Sequence, residues 1–255
     1  MEKVKNVMRV AWLFPDILFL HGERGNVMAL ERMAQAAGID LEVEKIDFST
    51  EDFDPTKYGV IFCPPGELAS MEAVIEWLRP HTESLKAFVD SGRVLLATGT
   101  GMCIFGGDVQ REDGSSVRGL GIIDCSYEER KYVYGDDICF TSAYCGGQEC
   151  FGVQIQMANA ESREPETFGD LIYGFGNDGK DRREGVIKNN SIFTNVLGPM
   201  LVLNPWLTKE VISRAAEACG IEAEEPIVDM SLEKKSLESK KKFALNKKTR
   251  LTNCL

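Results

Sequence analysis

Val94-Leu95-Leu96-Ala97-Thr98-Gly99-Thr100-Gly101-Met102-Cys103-Ile104-Phe105-Gly106 is the stretch on which the reading of this 255-residue chain turns. Residues 94–97 form a short, wholly apolar run, which reads as a strand buried on both faces. The run breaks into two glycines and then resumes as apolar residues, as a strand does when it turns into a helix. The same pattern repeats toward the N-terminus. Residues 7–14 are an apolar run ending at Pro15-Asp16. Residues 25–37 carry Val27, Leu30, Ala34 and Ala37 at helical spacing, with Gly38 as the stop. Residues 41–46 alternate like a half-buried strand, and residues 60–63 are an apolar strand broken by Pro64-Pro65-Gly66. Leu68, Met71, Val74, Ile75 and Leu78 then fall on one helical stripe, and residues 84–90 continue as helix to Gly92. The order β-α-β-(loop)-β-α-β predicts an α/β fold with a mostly parallel central sheet and helices on both faces. Ligands of such sheets bind beyond the carboxyl ends of the strands. That singles out residues 15–26, 63–67 and 98–106.

The pattern changes from about residue 119. Residues 120–123, 138–144, 151–156 and 171–173 read as strands between polar turns, among them Asn177-Asp178-Gly179, giving a β-rich C-terminal half. The last clear helix is 209–218, with Val211, Ile212, Ala215, Ala216 and Cys219 on one face. Residues 1–229 are expected to form one domain. Residues 230–255 are a Lys/Ser-rich tail, helical or disordered.

Apolar residues make up 44% of the chain and charged residues 27%, which excludes collagen, coiled coil and wholesale disorder. The net charge of −11 divides into −17 on residues 1–229 and +6 on the tail. An acidic body repels phosphate backbones, so no nucleic-acid partner is expected. No apolar run approaches the roughly 20 residues of a membrane span. The opening Met1-Glu2-Lys3-Val4-Lys5-Asn6 has no signal-peptide core, so the expectation is a cytoplasmic chain without a transmembrane segment. The eight cysteines, at 63, 103, 125, 139, 145, 150, 219 and 254, form no Cys-x-x-Cys pair and read as reduced, mostly buried thiols. Cys145 and Cys150 flank a Gly-Gly and are placed to face each other across a hairpin. Two cysteines without a nearby histidine make a poor zinc site, and neither a metal nor a cofactor is expected. The only histidines are His21 and His81.

Motifs in the candidate segments and beyond them carry a resemblance. Phe14-Pro15-Asp16 is followed by His21-Gly22-Glu23-Arg24-Gly25-Asn26. Downstream come Gly119-Leu120-Gly121-Ile122-Ile123-Asp124, then Gly174-Phe175-Gly176-Asn177-Asp178-Gly179 with Glu184-Gly185, then Leu197-Gly198-Pro199-Met200-Leu201 with Asn204-Pro205. In order and spacing, from about residue 10 to 220, these resemble the motifs of the GatD group of class I glutamine amidotransferases. That group is the glutaminase subunit of lipid II isoglutaminyl synthase and is related to the amidotransferase domain of cobyric acid synthase. The resemblance implies a flavodoxin-like class I amidotransferase fold and a place in cell wall (peptidoglycan) biogenesis. It also implies nucleophilic acyl transfer: a cysteine thiolate on a strand-to-helix turn attacks the glutamine side-chain amide, a histidine moves the proton, and backbone N–H groups hold the oxyanion. The ammonia released passes to a Mur-ligase-like (MurT-type) ATP-dependent partner that amidates the stem peptide.

The chain departs from that pattern where the chemistry is done. Against the family elbow Leu-Ala-Ile-Cys-Gly-Gly, residues 96–101 put Gly99 at the nucleophile position. The catalytic histidine of Gly-Phe-Glu-Asn-His aligns with Ala160, and a second histidine, before Gly-Pro, aligns with Leu197. The glycine loop after the third strand becomes Cys63-Pro64-Pro65-Gly66, and its two prolines carry no N–H. No histidine follows residue 81. Loss of nucleophile and base together costs many powers of ten in rate. The expected reading is therefore a catalytically inactive homologue acting as a partner-binding or regulatory subunit. The alternative is an active glutaminase with a relocated nucleophile such as Cys103, whose bland reading is a buried apolar side chain one helical turn inward. A small-ligand sensor using the vacated pocket is a third possibility. Cys145-Gly146-Gly147-Gln148 imitates the elbow in letters, but it lies between strand-like runs and reads as a hairpin turn. Candidates for substrate binding are His21, Arg24, Asn26, Gly66 and Arg130. Asp16, Glu23, Arg24 and Asn26 either line the crevice or a partner interface, or cap the first helix. Arg130-Lys131 fall near the glutamine-holding arginine of active members, or form a solvated pair. Glu184-Gly185 reads as a turn.

Overall fold

The computed structural model describes residues 6–252. The expectations concerning residues 1–5 and Cys254 lie outside the described residues. In chain order the elements are β1 (Val7–Leu13), α1 (Arg24–Ala36), β2 (Asp40–Ile46), β3 (Val60–Cys63), α2 (Leu68–Leu78), α3 (Thr82–Asp90), β4 (Val94–Thr98) and α4 (Gly101–Phe105). There follow β5 (Asp108–Gln110), β6 (Ser116–Arg118), β7 (Cys125–Ser142), β8 (Gln148–Ser162), β9 (Gly169–Tyr173), β10 (Arg183–Glu184), β11 (Val186–Lys188), β12 (Ser191–Thr194) and β13 (Val196–Leu197). Three helices end the chain: α5 (Met200–Leu203), α6 (Pro205–Ala218) and α7 (Ser231–Thr252).

The first sheet has the order β11-β12-β4-β3-β1-β2. All its pairings are parallel except β11 with β12. Strands β3 and β4 are buried at every position because helices cover both faces. Alternate residues feed two cores. Ala11, Leu13, Ile61, Leu95 and Ala97 pack with α2, α3 and α4. Val10, Val60, Phe62, Val94 and Leu96 pack with α1 and α6. The predicted stripe Leu68, Met71, Val74, Ile75 and Leu78 is the buried face of α2. Helix α6 starts four residues before the expected 209, at Pro205, since proline suits a first helical position whose N–H has no partner to find.

The second sheet runs β10-β9-β7-β5-β6, with β8 on β7 and β13 on β8. Its spine is the antiparallel β7–β8 hairpin, much longer than the predicted strands 138–144 and 151–156. The extra length is rich in Glu, Arg, Lys and Asp and carries no hydrophobic run for a sequence pattern to find. Residues 120–123 are not the predicted strand. Their N–H groups instead satisfy the last carbonyls of α4: Leu120 on Ile104 (2.9 Å), Ile122 on Phe105 (2.8 Å) and Ile123 on Phe105 (3.1 Å). The apolar run is therefore a cap.

The basic tail is helical as far as it is described. Ala244 of α7 is buried against Cys139, Phe151 and Tyr173, while Lys241 and Lys247 pair with Glu149 and Asp136 of the hairpin. Among the described residues, no helix is long and apolar enough to cross a membrane.

Candidate functional site

Strand β4 delivers its last residue, Thr98, to the carboxyl end of the sheet. The next residue, Gly99, turns the chain into α4 with φ +52°, and its N–H donates to the Thr194 carbonyl at 2.7 Å. This is the strand-turn-helix setting that a nucleophile elbow needs, and the positive φ suits glycine. The space above it is filled. A Cβ at residue 99 would stand 3.0 Å from Leu197 Cδ2 and 3.0 Å from Pro65 Cβ. The hollow left beside Gly99, walled by Thr100, Cys103, Gln156, Ala158 and Asn195, has a volume of about 10 Å³. That is at most one water, far below the size of an amino acid.

The loop after β3 is equally spent. Pro64 and Pro65 have no N–H to offer an oxyanion. The Gly66 N–H donates to Thr100 Oγ1 (3.0 Å), whose hydroxyl donates back to the Gly66 carbonyl (2.6 Å). Gly66, a candidate for substrate binding, thus has both backbone groups occupied inside the protein.

The two positions aligned with family histidines separate. Leu197, on β13, packs its methyl groups onto Gly99. Ala160 lies on β8 opposite Tyr127 and lines a different hollow, with Asp108, Gln110, Glu128, Asp178 and Lys180. Of the two aligned positions, Leu197 is the one that meets Gly99, and Ala160 does not line the same hollow. Neither histidine is among the residues walling the hollow beside Gly99. His81 packs on Phe53 and Trp77 (ring centroids 5.2 and 5.4 Å) at the junction of α2 and α3. His21 is half-buried in the loop before α1, at φ +64°, and burial lowers its pKa below the ordinary value.

Cys103 borders the hollow but is 2% exposed, and burial pushes its thiol well above the ordinary range, away from the reactive thiolate. Arg24 and Asp16 are exposed. Asn26 is fully buried and works structurally: its Oδ1 accepts the Leu201 N–H at 2.8 Å. Arg130 sits in a bulge of β7, where residues 130–133 leave the pairing with β8. It donates to Asn159 Oδ1 (2.6 Å) and stacks over Phe175 at 4.5 Å. Arg130 is thus packed into the hairpin arm, and Lys131 beside it is exposed.

Sequence reading left Glu23 between a crevice and a cap. It does neither. Its carboxylate is 1% exposed at the sheet mouth, where Oε2 accepts from Thr98 Oγ1 (2.9 Å) and Asn26 Nδ2 (2.6 Å), and Oε1 accepts the Gly198 N–H (3.0 Å). Burial lifts its pKa to about 7, with the three hydrogen bonds pulling the other way. A second buried carboxylate went unrecognised. Glu184 accepts Thr194 Oγ1 (2.6 Å) and the Asn195 N–H (2.9 Å), and burial raises its pKa. Asn195 Nδ2 donates to Asn177 Oδ1 (3.2 Å), the Asn177 carbonyl accepts from Gln156 Nε2 (2.8 Å), and Gln156 Oε1 accepts from Gln154 Nε2. Gln156 and Asn195 of this network wall the hollow beside Gly99. The sequence held Asn177 and Glu184 within a motif and Gln154-Ile155-Gln156 in alternation, but neither pattern said which side chains point inward.

With this geometry in hand, known proteins place the chain. No family model matches it. It is 27% identical over 221 residues, 86% of this chain and 88% of the relative, to the lipid II isoglutaminyl synthase (glutamine-hydrolyzing) subunit GatD of Staphylococcus aureus (strain N315). The chain is similar to GatD subunits. The subunit of the same name from Streptococcus pneumoniae (strain ATCC BAA-255 / R6) is 22% identical over 216 residues, 82% of this chain and 80% of that one. A crystal structure of a glutamine amidotransferase superposes with a TM-score of 0.55 at 15% identity, over 81% of this chain and 98% of the other, so the fold is that of a glutamine amidotransferase.

Proposed function

We propose that this chain is a GatD-type amidotransferase subunit without glutaminase chemistry, which serves as a partner-binding or regulatory subunit in peptidoglycan stem-peptide amidation. Its partner in this reading is a Mur-ligase-like (MurT-type) protein in the cytoplasm, and no nucleic acid, metal or cofactor is involved. One observation carries the reading: the nucleophile position is Gly99, and Leu197 and Pro65 close over it. A thiolate, a base and an oxyanion donor are all needed for hydrolysis. Here they are represented by a hydrogen atom, an isobutyl group and an N–H already bonded to Thr100.

The test is ammonia release from L-glutamine by the purified chain, alone and with a co-expressed Mur-ligase-like subunit from the same cell. Release at the level of a buffer blank, together with co-purification of the two chains, is the expected result. Turnover would overturn the inactive reading. Because Cys103 walls the same hollow as Gly99, the alternative of an active glutaminase has a definite signature: turnover that disappears in Cys103→Ala. A strictly monomeric chain that ignores the partner would overturn the subunit role while leaving the loss of chemistry intact.

A further inference from the structure

Outside the candidate site, two sulfurs touch. Cys145 ends the short turn Ala143–Cys145 that follows β7, and Cys150 is the third residue of β8; their Sγ atoms are 3.7 Å apart across the end of the hairpin. The turn between them is Gly146-Gly147, at φ +67° and +77°, with nothing within 4 Å of where either Cβ would stand. Cys145 and Cys150 are themselves buried, 2% and 0% exposed, beside a tip of exposed Gly146, Gly147 and Gln148, so peroxide reaches them only when the glycine tip opens. Beneath it lies Trp206 of α6. Its indole N–H is buried without an oxygen or nitrogen acceptor and faces the Cys150 sulfur.

We propose that Cys145 and Cys150 form a redox-modified dithiol, which a hydroperoxide closes to an intramolecular disulfide and a thiol reductant reopens. The geometry needs little movement. Sulfurs in contact at 3.7 Å must approach to about 2.05 Å, and the two glycines take up the adjustment. The Cys145 thiolate attacks one peroxide oxygen; an S–O bond forms, the O–O bond breaks, and the departing alkoxide leaves with the thiol proton as an alcohol. Cys150 sulfur then attacks the sulfenic sulfur; the S–S bond forms, the S–O bond breaks, and hydroxide leaves with the second proton as water. The two thiols are oxidised by two electrons and the hydroperoxide is reduced by two.

The pair is set apart from the other buried thiols. The contact between the two sulfurs holds the Cys145 thiol below its ordinary pKa. Burial moves Cys63 and, as the largest cause, Cys103 the opposite way. The bond would lock a turn that already ties the sheet to its neighbours, because Tyr144 donates to the Asn190 carbonyl (2.9 Å) and accepts from Arg214 Nη2 (2.8 Å) through its own carbonyl.

The experiment exposes the full chain to hydrogen peroxide, then alkylates it in denaturant. Of the eight thiols, six are expected to remain, with residues 145 and 150 joined in a peptide two hydrogens lighter and restored by dithiothreitol. In Cys150→Ser, a sulfenic acid trapped at Cys145 by dimedone is expected in place of the bond. The wild-type thiol count stands by itself if that variant fails to fold. Recovery of Cys145 and Cys150 as two alkylated thiols after peroxide treatment would overturn the proposal, as would over-oxidation of Cys145 without a bond.

Discussion

Burying a carboxyl group at the sheet mouth makes Glu23 a reporter of folding. Its pKa rises from an ordinary 4.5 to about 7 in the folded chain, so between those values the folded state holds a proton that the unfolded state has released. By linkage, Glu23 favours folding most below about pH 4.5, and its contribution falls as pH rises to about 7; the full shift corresponds to about 3 kcal/mol. Stability against denaturant should decline across that window in the wild type, and Glu23→Gln should flatten the decline. Gly99 allows a second check. A side chain there must adopt φ +52° and displace Leu197 and Pro65, so Gly99→Ala should cost about 1–3 kcal/mol in chemical denaturation. Gly99 was readable from the sequence, because a glycine in a motif that expects a cysteine is a difference in letters. The role of Leu197 was not, since two aligned histidines look alike until the strands β8 and β13 put one of them against Gly99.

Elements explain which parts of the fold declared themselves. The parallel strands and α1 to α3 carry their periodicity on every turn because they are buried on regular faces. The hairpin strands β7 and β8 did not, because a long two-stranded arm with charged outer positions lacks a continuous apolar signal. In β8 the inward residues include Gln154 and Gln156, which inverts the usual pairing of polar with outside. In the loop between β3 and α2, both backbone groups of Gly66 are held by the Thr100 hydroxyl. Thr100→Val removes it and leaves the buried Gly66 N–H and carbonyl without a partner, so urea titration should find the variant about 1–3 kcal/mol less stable. Helix α7 contributes through one buried alanine and a few lysines. A chain ending at Met230 should keep its central sheet but uncover Cys139, now 0% exposed, and maleimide labelling of that cysteine should speed up in the native state.

For the whole molecule, the closed mouth sets the expectation for ligands. A glutamine bound at 100 times its dissociation constant would raise stability by about 2.7 kcal/mol. With room for about one water beside Gly99, the thermal midpoint in millimolar L-glutamine should match that in buffer. The charge division fits the same picture. An acidic body accepts its own basic helix, through Lys241 on Glu149 and Lys247 on Asp136, so much of the asymmetry in the sequence is answered within the chain. The packing of Leu197 and Pro65 over Gly99 also works as a ratchet. Restoring a sulfur at 99 meets a steric clash before it meets a base, and restoring an imidazole at 197 supplies a base with nothing to deprotonate. On the proposed reading, a laboratory lineage selected for hydrolysis should advance from the paired changes at 99 and 197 and not from either one alone.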